Sequence, residues 1–246
     1  MRMLFTLVVL FYCVKASGQV KPRESLDPSV TEVWDLEPPK VSPGKSEGQP
    51  PSDAQVLFAG DLSQWTTLLG KVLAWEVKEG IMTVAKGAGS IKTKEVFGDV
   101  QLHVEWRTPL GASGGGQNQG NSGIFLQERY EVQVLDSYEN KTYSNGQAGS
   151  IYKQAIPLVN ASRKPGEWQV YDIIYTAPRF NESGRVITPA FITVVHNGVL
   201  IHNHFPIQGP TEYKGLPVYE PHGKASLMLQ DHGEAVSYRN IWLRRL

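Results

Sequence analysis

Cysteine is almost missing from this chain of 246 residues: there is one, Cys13, inside an apolar leader. Disulfides, thiolate catalysis and cysteine-based zinc sites are excluded for everything after that leader. Charge of one sign is missing too, with 24 Lys and Arg against 24 Asp and Glu. The chain therefore has no general field for nucleic acid or anionic membrane, and no nucleic-acid partner is expected. Hydrophobic runs are short. The longest, residues 3–14, falls below the length needed to span a bilayer core of about 30 Å. Helical periodicity and long internal repeats are absent. A GxSxG nucleophile elbow is absent as well. The glycine-rich string GASGGGQNQGNSG lacks GK[ST] and a following helix, so it is no phosphate loop; it reads as a mobile loop at the rim of a cleft.

What is present is turn chemistry and a core: 24 Gly, 16 Pro and 41% apolar residues favour a turn-rich all-β protein. Arg2, the apolar run and Ala16-Ser17-Gly18 predict a signal peptide over residues 1–18. A secreted or periplasmic protein with no transmembrane span after processing is expected. Large residues before Cys13 (Leu10, Phe11, Tyr12) argue against lipidation. Residues 19–54, rich in Pro, Ser and Gly, read as a flexible linker. Residues 55–246 read as one β domain, a sandwich or barrel. Predicted strands include DVQLHVEWRT, NSGIFLQ, YEVQVLDS, EWQVYDIIYTA, ASLMLQDH and VSYRNIWLRRL. Asn197-Gly198 between VVH and VLIH is the sharpest hairpin signal.

Three of these strands carry polar rows, because residues i, i+2 and i+4 share a face. Gln101, His103, Glu105 and Arg107 form one row, Glu131 and Gln133 a second, and Met228, Gln230 and His232 a third. They are either wet outer faces or the lining of a ligand cleft. Their mix of carboxylate, amide, Arg and His favours a cleft suited to sugar hydroxyls, which both donate and accept. His202 and His204 form a weak His-x-His pattern without an identified carboxylate partner, better read as structural. Trp168 reads as core.

The blocks LFAGDLSQW, GNSGIFLQERYEVQVLDSY, GQAGSIY, PGEWQVYDIIYTAPRF, VVHNGVLIHNH and LQDHGEAVSYRNIWLRRL resemble the 3-keto-disaccharide hydrolase domain family, from about Val56 to Leu246. The resemblance implies a concanavalin-like jelly-roll β-sandwich. It also implies a hydrolase or carbon–oxygen lyase acting on glycosides oxidised to a ketone at C3, or a hydratase of the unsaturated product. Such a ketone acidifies the hydrogen on C2, and the aglycone on C1 then leaves by elimination. The site must supply a base, a proton for the leaving oxygen and a partner for the enolate.

On that chemistry Glu105, Glu131 and His232 are the expected catalytic groups. Arg107 is expected to stabilise the enolate, Gln133, Gln230 and Asn121 to bind hydroxyls, and Tyr152 to give a stacking plane. No cofactor is assigned. A divalent metal is an alternative partner for the enolate, with Glu105 or Glu131 among its ligands. Two rivals stand beside this reading: a non-catalytic, lectin-like module and an ordinary two-carboxylate glycosidase. The second lacks the ExDxxE spacing of laminarinase-like strands, since EVQVLD gives ExxxxD.

Overall fold

The computed structural model describes residues 27–70, 72–112 and 114–246. The predicted signal peptide and the first part of the predicted linker lie outside the described residues. Residues 27–40 contain one 3-10 turn, Pro28–Thr31, capped by Asp27, whose Oδ1 accepts from the Ser29 N–H at 2.9 Å. Residues 41–246 form a separate compact unit, described below by itself.

That unit is an antiparallel β-sandwich with strands numbered in chain order. The larger sheet has eight: β1 (Gln55–Phe58), β3 (Glu76–Lys78), β4 (Ile81–Thr83), β6 (Val100–Arg107), β9 (Gln169–Thr176), β12 (Phe191–His196), β13 (Val199–Pro206) and β15 (Ser237–Arg245). Their order is β13-β12-β9-β6-β15-β4-β3, with β1 also paired to β15. The smaller sheet has five: β2 (Trp65–Thr67), β5 (Ile91–Thr93), β7 (Ser122–Leu126), β8 (Tyr130–Val134) and β14 (Met228–Leu229), ordered β2-β5-β14-β7-β8. A two-stranded ladder joins β10 (Arg179–Phe180) to β11 (Val186–Thr188). Among the described residues no helix is long and apolar enough to cross a membrane.

Alternation decides which side chains enter the core. From β6, Val100, Leu102, Val104 and Trp106 are buried; from the smaller sheet, Ile91, Ile124, Leu126, Val132, Val134 and Leu229 are buried. The hairpin between β12 and β13 turns at Asn197 (φ 52°) and Gly198 (φ 81°), the positive pair of a type I′ turn. The short strands β1, β2 and β5, which have too few residues to show a period, were not among the predicted segments.

The last part of the predicted linker is folded. Residues 41–53 fold back on themselves and onto the larger sheet. Ser52 N–H donates to Ser42 O at 2.9 Å. Gly48 O accepts from Asn240 Nδ2 at 2.8 Å and from Trp242 Nε1 at 2.9 Å. Asp53 accepts three hydrogen bonds from the Arg244 guanidinium. Pro and Gly in this stretch set turns that let the backbone offer carbonyls to β15, a role that composition does not separate from disorder.

Candidate active site

The register of the smaller sheet assembles one outer row. Lys92, Met228, Phe125 and Glu131 lie side by side on β5, β14, β7 and β8, and Gly123 pairs with Gln133. Beside this row a cavity of about 270 Å3 is lined by Asn121, Phe125, Glu131, Gln133, Tyr152, Thr211, Tyr213, Gln230 and His232. Six of the residues expected at the site, on one strand and three loops, therefore meet in one hollow. Glu131 is its one lining carboxyl.

Glu131 is buried at the floor, and β8 is stitched on both sides to hold it. Its N–H donates to Thr211 Oγ1 at 3.0 Å, and its carbonyl accepts from Tyr152 N–H at 3.2 Å. Burial pushes the carboxyl up from the usual 4.5 to about 8. The Gln133 amide adjoins the carboxyl: its Nε2 donates to Glu131 Oε1 at 3.1 Å and to Ser122 O at 2.9 Å.

Gly123 makes room for the carboxyl. A Cβ there would lie 2.5 Å from Glu131 Oε1 and 2.8 Å from Phe125 Cε2. Beside it, the buried Oε1 of Gln230 has no hydrogen-bond partner, the signature of an acceptor that awaits a hydroxyl. The Gln230 main chain is fixed: its N–H donates to Gly123 O at 3.0 Å, and its carbonyl accepts from Ser122 Oγ at 2.6 Å. Ser122 Oγ also meets the hydroxyl of Tyr238 at 2.7 Å, which crosses the core from β15. Tyr152 pairs with the Tyr143 hydroxyl at 2.6 Å, and burial followed by that bond raises its phenol. Asn121 donates to Gln117 O at 2.7 Å, so it also fastens the glycine-rich loop. That loop, expected to be mobile, is pinned by reciprocal 2.7 Å bonds between the Asn140 amide and Gly116. Thr211 and Tyr213, on the aperiodic string GPTEYKGLP, gave no sequence signal; Phe125 was not singled out, although its strand was expected.

Glu105 and Arg107 are not in this hollow, and their expected places are corrected. Strand β6 belongs to the other sheet, so its polar row faces outward on the opposite side of the sandwich. Glu105 lines a different cavity, of about 300 Å3, with His103, Trp168, Asp172, Arg239 and Trp242. It accepts from Arg239 Nε at 2.5 Å and Asn240 Nδ2 at 2.8 Å. Burial would raise Glu105, but His103, Asn240 and Arg239 outweigh it and hold it at about 2. Burial likewise opposes charge on His103, whose ring stacks on Trp242 at 5.1 Å. Bonds to Asp172 (Nδ1 to Oδ1, 2.7 Å) and Glu105 prevail, and its value rises to about 9. Arg107 lies with Arg239 over Trp168, at 4.7 and 4.1 Å from the ring centre. Trp168 is thus an outer-face side chain, half-buried, and not core.

His202 is buried with Nε2 2.9 Å from Gly149 O, while His204 lies flat on Phe191. Register shifts in the β12–β13 ladder accompany this separation, with His204 at φ 47°. Among the described residues no group of three or more His, Cys, Asp or Glu is gathered for a metal. The cavity itself offers Glu131 and His232 of those types.

Residues 53–244 match the family model described as a 3-keto-alpha-glucoside-1,2-lyase-like domain. A crystallised protein of Parabacteroides distasonis, described as a "putative glycosyl hydrolase", is 51% identical, with TM-score 0.87 over 92% of this chain and 99% of that one. A second from the same organism, with the same description, is 20% identical at TM-score 0.57 over 78% and 94%, and shares the fold. Among curated proteins none matches.

Proposed function

The chain belongs to the 3-keto-alpha-glucoside-1,2-lyase-like family, and from that premise we propose that it cleaves 3-keto-glycosides by elimination across C1 and C2. It is a carbohydrate-processing enzyme. The observation that carries the finer reading is Glu131: a lone carboxyl, buried under a polar hollow and pushed up to about 8. A base of that strength suits a C–H acidified by a neighbouring ketone. A two-carboxylate glycosidase needs a second carboxyl at about 5–9.5 Å across the sugar, and the hollow is lined by one.

Glu131 takes the C2 proton, and the electron pair moves onto the C3 oxygen. As the carbonyl re-forms, the C1–O bond breaks and its electrons leave with the aglycone oxygen, which takes a proton from His232. The products are a 1,2-unsaturated 3-keto sugar and an alcohol. The amide N–H group of Gln230 meets the enolate oxygen, and the Gln230 oxygen and Asn121 hold hydroxyls. Later addition of water to the enone would make the net reaction a hydrolysis. The leader supports an extracytoplasmic site of action, which N-terminal sequencing of the exported protein tests.

The decisive assay incubates the protein with a glucoside and its 3-keto counterpart, with and without chelator. Release of aglycone from the keto form alone is expected. Release from the unoxidised glucoside would establish a glycosidase, and binding without turnover a lectin-like module.

A further inference from the structure

The hollow over Glu131 measures about 270 Å3, below the range of about 300–1,000 Å3 that encloses drug-sized ligands. It takes one sugar ring, so the rest of a glycoside must lie at the mouth. Tyr213 stands there. It lines the hollow and remains 68% exposed. A large exposed ring beside a polar floor suits contact with the C–H face of a ligand.

The ring is also held in place before any ligand arrives. Lys153 Nζ donates to Tyr213 O at 2.7 Å and sits 4.3 Å from the ring centre, covering one face. Lys153 adopts φ 60°, left-handed backbone that a lysine seldom takes and that needs surrounding support. Further bonds fasten the same loop. Thr211 N–H donates to Arg129 O at 2.8 Å, Gln154 Nε2 to Gly209 O at 2.9 Å, and Gln208 N–H to Gln154 Oε1 at 2.8 Å. Thr211 Oγ1 accepts from the Glu131 N–H, so the platform and the base share one support. A fixed ring loses little freedom on binding, which favours its use as a recognition surface.

We infer that Tyr213 is the platform for the leaving group and selects glycosides whose aglycone presents a flat or C–H-rich face, an aryl group or a second sugar, over small alkyl aglycones. This inference rests on the elimination reading above. The ring acts on selection and does not take part in proton transfer.

The test compares kcat/KM for the phenyl and methyl 3-keto-α-glucosides in the unsubstituted protein, Tyr213→Phe and Tyr213→Ala. Differences in leaving-group ability cancel when the phenyl-to-methyl ratio is compared across variants. The ratio should fall about tenfold in Tyr213→Ala, chiefly through KM, and stay within about twofold in Tyr213→Phe. An unchanged ratio in Tyr213→Ala overturns the inference and leaves the elimination reading standing. An equal fall in Tyr213→Phe overturns the stacking role, because the hydroxyl would then carry the effect. No release from either keto substrate by the unsubstituted protein overturns the elimination reading, and the inference with it. Since the residue is exposed, circular dichroism should show all three proteins equally folded.

Discussion

Glu105 and Glu131 sit mid-strand in polar rows on opposite outer faces, and the sandwich treats them in opposite ways. Glu105 is ringed by His103, Arg239 and Asn240 and is held at about 2. Among the described residues no cation is bonded to Glu131, and burial pushes it up to about 8. The first is a charge used for adhesion, fixing β6, β15 and the strap of residues 41–53 that docks on them. The second is kept near the point where a proton moves either way. A carboxylate that is well satisfied is a poor base; function resides in the one left short of partners.

The largest expected effect separates the two directly. Glu131→Gln should lower turnover of a 3-keto-glucoside at least about 10²-fold, while Glu105→Gln keeps turnover within about threefold. Gly123→Ala comes next. Its new methyl displaces the Glu131 carboxyl, so kcat should fall about tenfold with a smaller loss of stability, read by kinetics beside denaturant melts.

On the other face, Glu105→Ala leaves His103 and Arg239 without their shared anion and should cost about 2 kcal/mol in urea titration, less than a fully buried pair because Arg239 is 41% exposed. Smaller still, Gly48→Ala forces a Cβ at φ 76° to within 3.4 Å of Asn240 and His103, and should cost about 1 kcal/mol.

The pH dependences sharpen the same contrast. Glu105, below its usual 4.5, stabilises the fold above that pH, and the contribution fades as pH falls through about 2. His103 and Glu131, raised to about 9 and about 8, contribute fully below their ordinary values of 6.5 and 4.5. Those contributions are lost as pH rises through the folded values. Glu131→Gln should therefore raise the melting temperature relative to the unsubstituted protein more at pH 9 than at pH 5. It should also remove a limb near pH 8 from the kcat/KM profile, where activity climbs as the carboxyl ionises.

The alternation of β6, β7, β8 and β14 was readable because a buried sheet face imposes period two on the sequence, and the Asn197-Gly198 turn because only a few residues accept positive φ there. The shared face of Glu131 and Gln133 followed from the same parity, whereas Gln230 and His232, expected on a strand row, lie in the loop after β14 and still line the hollow. Which sheet a strand joins leaves no mark on its own alternation, so the row of Glu105 and Arg107 looked equivalent to that of Glu131 and yet faces away. Tyr213 and Thr211 were illegible because a loop fixed by backbone bonds carries no period. The strap over His103 was illegible because its Pro and Gly serve turns and disorder alike.

Tyr238 makes the two faces less independent than their chemistry suggests. Its phenol reaches from the strand beneath the strap to Ser122, and through that hydroxyl to the carbonyl of Gln230. Two residues further along the same strand, Asn240 departs into left-handed backbone and grips Gly48. One side chain therefore works as a crossbar between front and back. The strand that clasps Gly48 thus also reaches, through one phenol and one serine hydroxyl, the main chain of the glutamine that faces the sugar.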